Sequence, residues 1–219
     1  MQGPVLTLLL CMVAVGFAAN VTFPDLFLAS FNETVWVNPG QDNTTKQQNG
    51  VFYYSYTEAV KAQRVDRERS DLNSLCKRVV DAPEPCQQHS FEQGKRYIFF
   101  PQRSQCCSDA CEGCGMLIPQ WVAGATFDRT VTTRGYEGTV GQCDIYSKQG
   151  ETSIDSYGQL SSPAALEGSA CAIYDGGNPP TNTLMPYLFL FDPDSYSDFV
   201  PRVSLQLPSA CQNAKPCPK

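Results

Sequence analysis

Val51-Phe52-Tyr53-Tyr54-Ser55-Tyr56 decides the fold: a short run of β-branched and aromatic residues that suits a pleated strand and follows a polar loop ending at Gly50. The same rhythm of apolar runs between Gly, Pro, Asn and Asp recurs on both sides of it. N-terminally, Leu26 to Val37 reads as a strand pair or one bent strand, closed by Asn38-Pro39-Gly40 and a polar loop from Asp42 to Gly50. C-terminally, Val60 to Arg69 carries Arg64, Asp66, Arg67, Glu68 and Arg69, so few positions remain to face a core and an exposed or edge strand is expected. From Ser70 the period changes. Leu72, Leu75, Cys76 and Val79 share a helical stripe, with Ser70 as N-cap and Pro83 and Pro85 as the stop. Tyr97 to Phe100, Ala125 to Thr133, Gly141 to Lys148, Thr152 to Leu160, Ser169 to Tyr174, Pro186 to Phe191 and Arg202 to Leu207 complete the predicted strands. No repeat, low-complexity tract or composition shift divides the chain, so one mainly β domain over residues 19–219 is expected.

The apolar run Val5 to Val15, ending in Gly16, Ala18 and Ala19, has the length and small-residue end of a signal peptide, cut after Ala18. It is too short to span a bilayer, and no later segment is apolar enough to do so. Removing residues 1–18 also removes Cys11, leaving an even set: Cys76, Cys86, Cys106, Cys107, Cys111, Cys114, Cys143, Cys171, Cys211 and Cys217. In an exported chain such a set reads as a disulfide framework of open connectivity. Adjacent Cys106 and Cys107 bond each other only with strain, which sends them to two partners. The competing reading of Cys106, Cys107, Cys111 and Cys114 is a zinc knot, which an oxidising route disfavours. Sequons at Asn20, Asn32 and Asn43 cluster near the mature terminus as glycan acceptors. A formal net charge of −6 argues against a nucleic-acid partner, which needs a basic surface. The expected location is extracellular, or the lumen of the secretory or lysosomal system.

Cys114-Gly115, Pro119, Trp121, Gly124-Ala125-Thr126-Phe127, Gly141, Cys143 and Tyr146-Ser147-Lys148 occur in an order that resembles the ependymin-related and LolA-like secreted proteins. Phe191-Asp192-Pro193-Asp194-Ser195-Tyr196, leading to Leu207-Pro208-Ser209-Ala210-Cys211, extends the likeness. Pro24, Phe27, Ala29 and Gly50 to Tyr54 are compatible with it. Residues 84–114 are richer in Cys than the pattern and read as an insert. The resemblance implies a strongly curved antiparallel sheet, a half β-barrel with a few short helices, whose apolar concave face takes hydrophobic or lipid-like ligands.

Aromatic residues of the predicted strands are the candidate lining: Phe52, Tyr54, Tyr56, Phe99, Trp121, Phe127, Tyr146, Phe189 and Phe191, with Tyr157 beside them. The bland alternative is that they fill an ordinary core, which uses the same residue types. Asp192, Asp194 and Asp198 have spacings that suit a calcium ion, but Tyr196 and Ser197 stand where an EF-hand needs an oxygen donor and Gly. A solvated turn is the alternative there. His89 is the only histidine and sits in a Cys- and Gln-rich segment read as a loop, and no nucleophile elbow, zincin or phosphate-loop motif occurs. The expected function is therefore non-enzymatic: a secreted protein with no cofactor, holding a hydrophobic small molecule or lipid, with a homodimer among the expected partners. The competing expectations are a structural or adhesion protein without a ligand cavity, and a carboxylate-dependent hydrolase.

Overall fold

The computed structural model describes residues 21–36, 45–110, 114–150, 154–175 and 187–218. The leader, Cys111, Asn20 and Asn43 lie outside the described residues. The strands are β1 (Leu26–Trp36), β2 (Thr45–Tyr56), β3 (Lys61–Arg67), β4 (Cys86–Phe91), β5 (Lys95–Phe100), β6 (Gln105–Ala110), β7 (Thr126–Arg134), β8 (Val140–Gln149), β9 (Ile154–Ser162), β10 (Ala170–Asp175), β11 (Tyr187–Phe191) and β12 (Lys215–Pro216). They form one sheet in the order β12-β6-β5-β4-β3-β2-β1-β11-β10-β9-β8-β7. The chain thus starts mid-sheet, builds one wing through β6, then builds the other from the far edge inward. Every pairing is antiparallel except the short β12 beside β6. The sheet is curved and open: the mainly β, disulfide-stapled class is as expected, and the strands do not close into a barrel.

Several local expectations are corrected. β2 begins at Thr45, inside the segment read as loop, because β1 extends in register from Phe31↔Gly50 to Trp36↔Thr45 and supplies backbone partners that polar residues accept equally well. β3 is interior rather than an edge, paired on both sides by β2 and β4. Its charges are matched locally: Arg67 Nε lies 2.9 Å from Glu33, and Arg64 chelates Asp66. The segments carrying His89 and Cys106-Cys107, not read as strands, form β4 and β6. Arg202–Leu205 is a 3-10 turn instead of a strand. The helix after Ser70 shrinks to a 3-10 turn, Ser70–Leu72, and one helical turn, α1 (Ser74–Lys77). Asn73 rather than Ser70 caps α1, its side-chain oxygen accepting from the amides of Leu75 and Cys76, while the Ser70 hydroxyl bonds the Val80 and Ala82 carbonyls.

Alternation along the strands sends one set of aromatic rings to what we call the inner face. Phe27 and Phe31 of β1, Phe52 and Tyr54 of β2, Tyr157 of β9 and Phe189 and Phe191 of β11 pack there with Phe23 into the largest core cluster. Each buried ring of this kind contributes about 1.5–3 kcal/mol before chain entropy is subtracted. Residues 114–125 cross this face, with Leu117 accepting a bond from the Tyr54 hydroxyl (2.9 Å) and donating its amide to Gln63 (3.0 Å). The outer face of the first wing is covered by the tail, where Val200 and Leu205 pack on Leu26, Leu28, Tyr53, Ala62 and Phe91. Disulfides Cys106–Cys211 and Cys107–Cys217 tie that tail to β6, and Cys76–Cys86 and Cys143–Cys171 staple each wing locally. The two adjacent cysteines therefore do reach different partners, and Cys114 is disulfide-bonded as well, so the zinc alternative loses three of its four thiolates.

Candidate functional site

The structure divides the expected aromatic lining. Phe52, Tyr54, Phe189 and Phe191 are buried against one another: Phe52 and Phe189 ring centroids lie 6.2 Å apart, and Phe52 and Phe191 5.5 Å. They fill most of the inner face themselves, and Phe52 and Phe189 also wall a cavity of about 170 Å³ there. Burial holds the Tyr54 and Tyr157 phenols well above their usual pKa, so both stay neutral. Trp121 packs on Phe23 and Tyr157, with the Lys148 ammonium bonded to its carbonyl. Tyr56, partly buried at the margin, donates its hydroxyl to Glu92 (3.0 Å). Phe99 pairs with Gln87 and Cys106, which places it on the opposite face from Phe52. Phe127 is 57% exposed on edge strand β7 and meets the Tyr146 ring edge-on.

The uncovered apolar surface lies on the outer face of the second wing, where the tail does not reach. Rows read across the strands from the register: Asn32, Leu190, Ala172, Gly158 and Ile145 in one, Thr34, Leu188, Tyr174, Ser156 and Ser147 in the next. Two open concavities occupy this face. One of about 820 Å³ is lined by Val131, Tyr136, Leu190 and the Cys143–Cys171 bridge, and one of about 600 Å³ by Ile145, Ile154, Ala172 and Leu188. Both fall in the volume range of small-molecule sites. Leu190 is 43% exposed and Ile154 55%, although Phe189 and Phe191, the strand neighbours of Leu190 on the inner face, are buried. Gly158 shapes the floor: a Cβ there would stand 2.6 Å from Cys143 Sγ and 2.9 Å from Ala172 Cβ, so only glycine lets these side chains close over the strand.

The tip of the β7–β8 hairpin arches over this trough. The Tyr136 and Glu137 amides donate to Asp192 (3.2 Å) and Asp194 (2.7 Å), and the Tyr136 hydroxyl reaches Asn49 (3.3 Å). Bonds from the Thr139 hydroxyl and nearby backbone amides hold the Asp194 carboxyl below its usual pKa. Asp192 and Asp194, two of the three calcium candidates, thus serve as a clasp for backbone N–H groups, and Asp198 is exposed apart from them. Among the described residues no cluster of three or more His, Cys, Asp or Glu is placed to hold a metal ion. Asn32 stands at the trough rim, its amide donating to Asn49 (3.2 Å).

His89, read as a loop residue, is 1% exposed in β4; burial, with Arg64 beside it, lowers its pKa from 6.5 to about 4. It is a core residue. Glu33, Arg67 and Arg96 were not read as interior, yet they enter the inner face. The available signal was the alternation itself: Phe27, Ala29, Phe31, Glu33 and Val35 hold every second position of β1. No helix among the described residues is long and apolar enough to cross a membrane. A comparison with protein-family models gave no match, and neither did one with curated proteins.

Proposed function

We propose that this chain is a secreted, non-enzymatic binding protein that holds a hydrophobic or lipid-like ligand in the trough on the outer face of β7–β11. The observation that carries the reading is the half-covered outer face: Leu190, Leu188, Ala172, Ile145 and Val131 form a concave apolar surface beneath an anchored hairpin tip. A monomer has little reason to leave such a surface bare without a guest. The order of motifs that resembles ependymin-related proteins supports a ligand of that kind, and the disulfides suit an oxidising compartment. The ligand sits opposite the aromatic core instead of within it, because the core rings leave only about 170 Å³ on the inner face against about 820 and 600 Å³ in the trough.

The purified full chain, extracted for mass spectrometry and titrated with a fluorescent fatty-acid probe, tests this. Bound lipid or saturable probe binding is expected, weakened at least about tenfold in Leu190→Asp, since a carboxylate in an apolar wall costs well over 1.4 kcal/mol. Absence of both lipid and probe binding, or binding untouched by Leu190→Asp, overturns it. A second reading, a structural or adhesion protein, is favoured by the filled aromatic core together with exposed Phe199 and Val203, each 70% exposed. Self-association or matrix binding abolished by Val203→Asp, without probe binding, would select that reading.

A further inference from the structure

We propose that this chain pairs with a second copy of itself through the outer edge of β7, which joins the two troughs across a shared pair of strands. The two edges of the sheet are built differently. At one end β12 is only Lys215–Pro216, tied down by Cys107–Cys217. Pro216 has no N–H to offer and Lys215 is exposed, both of which guard an edge against further pairing. At the other end β7 runs for 9 residues, Thr126–Arg134, with β8 as its one strand partner among the described residues. It holds no Pro or Lys, and every residue in it is exposed or half-buried. An unguarded edge of that length is a template for another strand.

The sequence of β7 fits its own copy in one register. Peptide groups that turn away from β8 recur at every second residue, so a symmetric antiparallel partner must centre its two-fold axis on a residue. A register shift between Phe127 and Arg129 makes Asp128 a bulged residue and leaves residues 129–134 as the regular run. An axis on Arg129 sets two guanidinium groups against each other, and an axis on Thr130 brings the bulge inside the ladder, opposite Thr132. An axis on Val131 does neither. Thr130 then faces Thr132, Arg129 faces Thr133, and Asp128 meets Arg134 of the second copy at each end. Arg134 is exposed and has no ion pair among the described residues, while Asp128 bonds Arg129 of its own strand through one carboxylate oxygen. Facing threonines and opposite charges across a strand pair favour this register, whereas like charges oppose the first.

An axis of this kind stands perpendicular to the sheet, so both outer faces look the same way. Val131, which packs on the cluster of Cys143, Leu160 and Cys171, then lies beside its own copy on that face. Residues 131–134 line the larger concavity of the trough, and Asp128 and Arg129 line the smaller one. Each trough therefore runs out to the edge of the sheet, and the second copy continues its floor. Only this joining rests on the proposed ligand site; the pairing of edges stands without it.

Sedimentation velocity of the full chain, in a concentration series up to about 200 µM, is the test, with a micromolar dissociation constant expected for so small an interface. Arg134→Asp and Asp128→Arg turn the end pairs into repulsions and should each weaken the dimer at least about tenfold. The double variant Asp128→Arg/Arg134→Asp should restore it to within about threefold of wild type. Both positions are exposed, which keeps the fold out of the comparison. Hydrogen exchange should slow at alternate amides of residues 129–133 as concentration rises. A wild-type chain that stays monomeric, a dimer indifferent to both single variants, or a double variant that stays weakened would each overturn the proposal. Titration with the fatty-acid probe is a separate readout: a dimer that binds no probe keeps the paired edges and loses the ligand, and a monomer that binds probe does the reverse.

Discussion

At the scale of single residues, the sheet encloses side chains whose chemistry is set by burial. His89 shows the consequence most directly, because its neutral form is built into the folded state. Its folded pKa, about 4, lies below the ordinary 6.5, so between these values the unfolded chain binds more protons. Stability from this group is complete above about pH 6.5 and declines as pH falls toward about 4, by up to about 3 kcal/mol for a shift of this size. Asp66, its pKa raised chiefly by burial, acts in the opposite sense. Denaturant unfolding of wild type and His89→Gln at a series of pH values isolates the histidine: the difference between the two should narrow steadily from pH 7 to pH 4. A constant difference would show that His89 titrates normally. The buried Glu33–Arg67 pair belongs to the same scale. It was hidden in the sequence because charges in a strand read as solvent-facing unless the partner strand is known, and Gln48 and Glu33 are brought opposite one another only by the β1–β2 register.

Elements were legible where local signals suffice. The apolar strands β1, β5 and β7 to β11 follow from alternation and turn residues, and the disulfide framework from an even set of cysteines behind an apolar leader-like run. β4, Cys86-Gln87-Gln88-His89-Ser90-Phe91, has no apolar alternation and becomes a strand because β3 and β5 flank it on both sides. The α1 stripe was real, but Asn73 interrupts it with extended backbone at φ −115° and ψ 126°. The trough was not legible at all, since it depends on how far the tail travels across the sheet. The hairpin that roofs it depends on Gly135. A Cβ there would meet Asp194 Oδ2 at 2.0 Å and Asp192 Oδ1 at 2.7 Å. Because these are the ends of side chains, Gly135→Ala should push the carboxylates aside and release the tip instead of unfolding the protein. Hydrogen exchange at the Tyr136 and Glu137 amides is expected to accelerate at least about tenfold, with global stability changed by about 1 kcal/mol or less. Unchanged exchange at both amides would mean that the clasp does not hold the tip.

For the whole molecule, the decisive constraint is the pair of bridges that returns the tail to β6. Cys106–Cys211 spans 105 residues and Cys107–Cys217 spans 110, so either one closes nearly the same large loop. In the chain-entropy account, the first bridge to form contributes about 4.7 kcal/mol and the second, closing only the short segment between the two, about 3 kcal/mol or less. Removing one bridge therefore leaves the large loop closed and forfeits only the smaller amount. Removing both forfeits the two together. Cys106→Ala/Cys211→Ala and Cys107→Ala/Cys217→Ala should each cost about 2–3 kcal/mol, while the quadruple variant should cost about 7 kcal/mol, more than the sum of the two. Chemical denaturation of the three proteins under oxidising conditions measures this directly. Simple additivity would show that the bridges act through local packing at β6 and not through the loop they share. It would also remove the reason for the tail to stay on the first wing, on which the bareness of the trough depends.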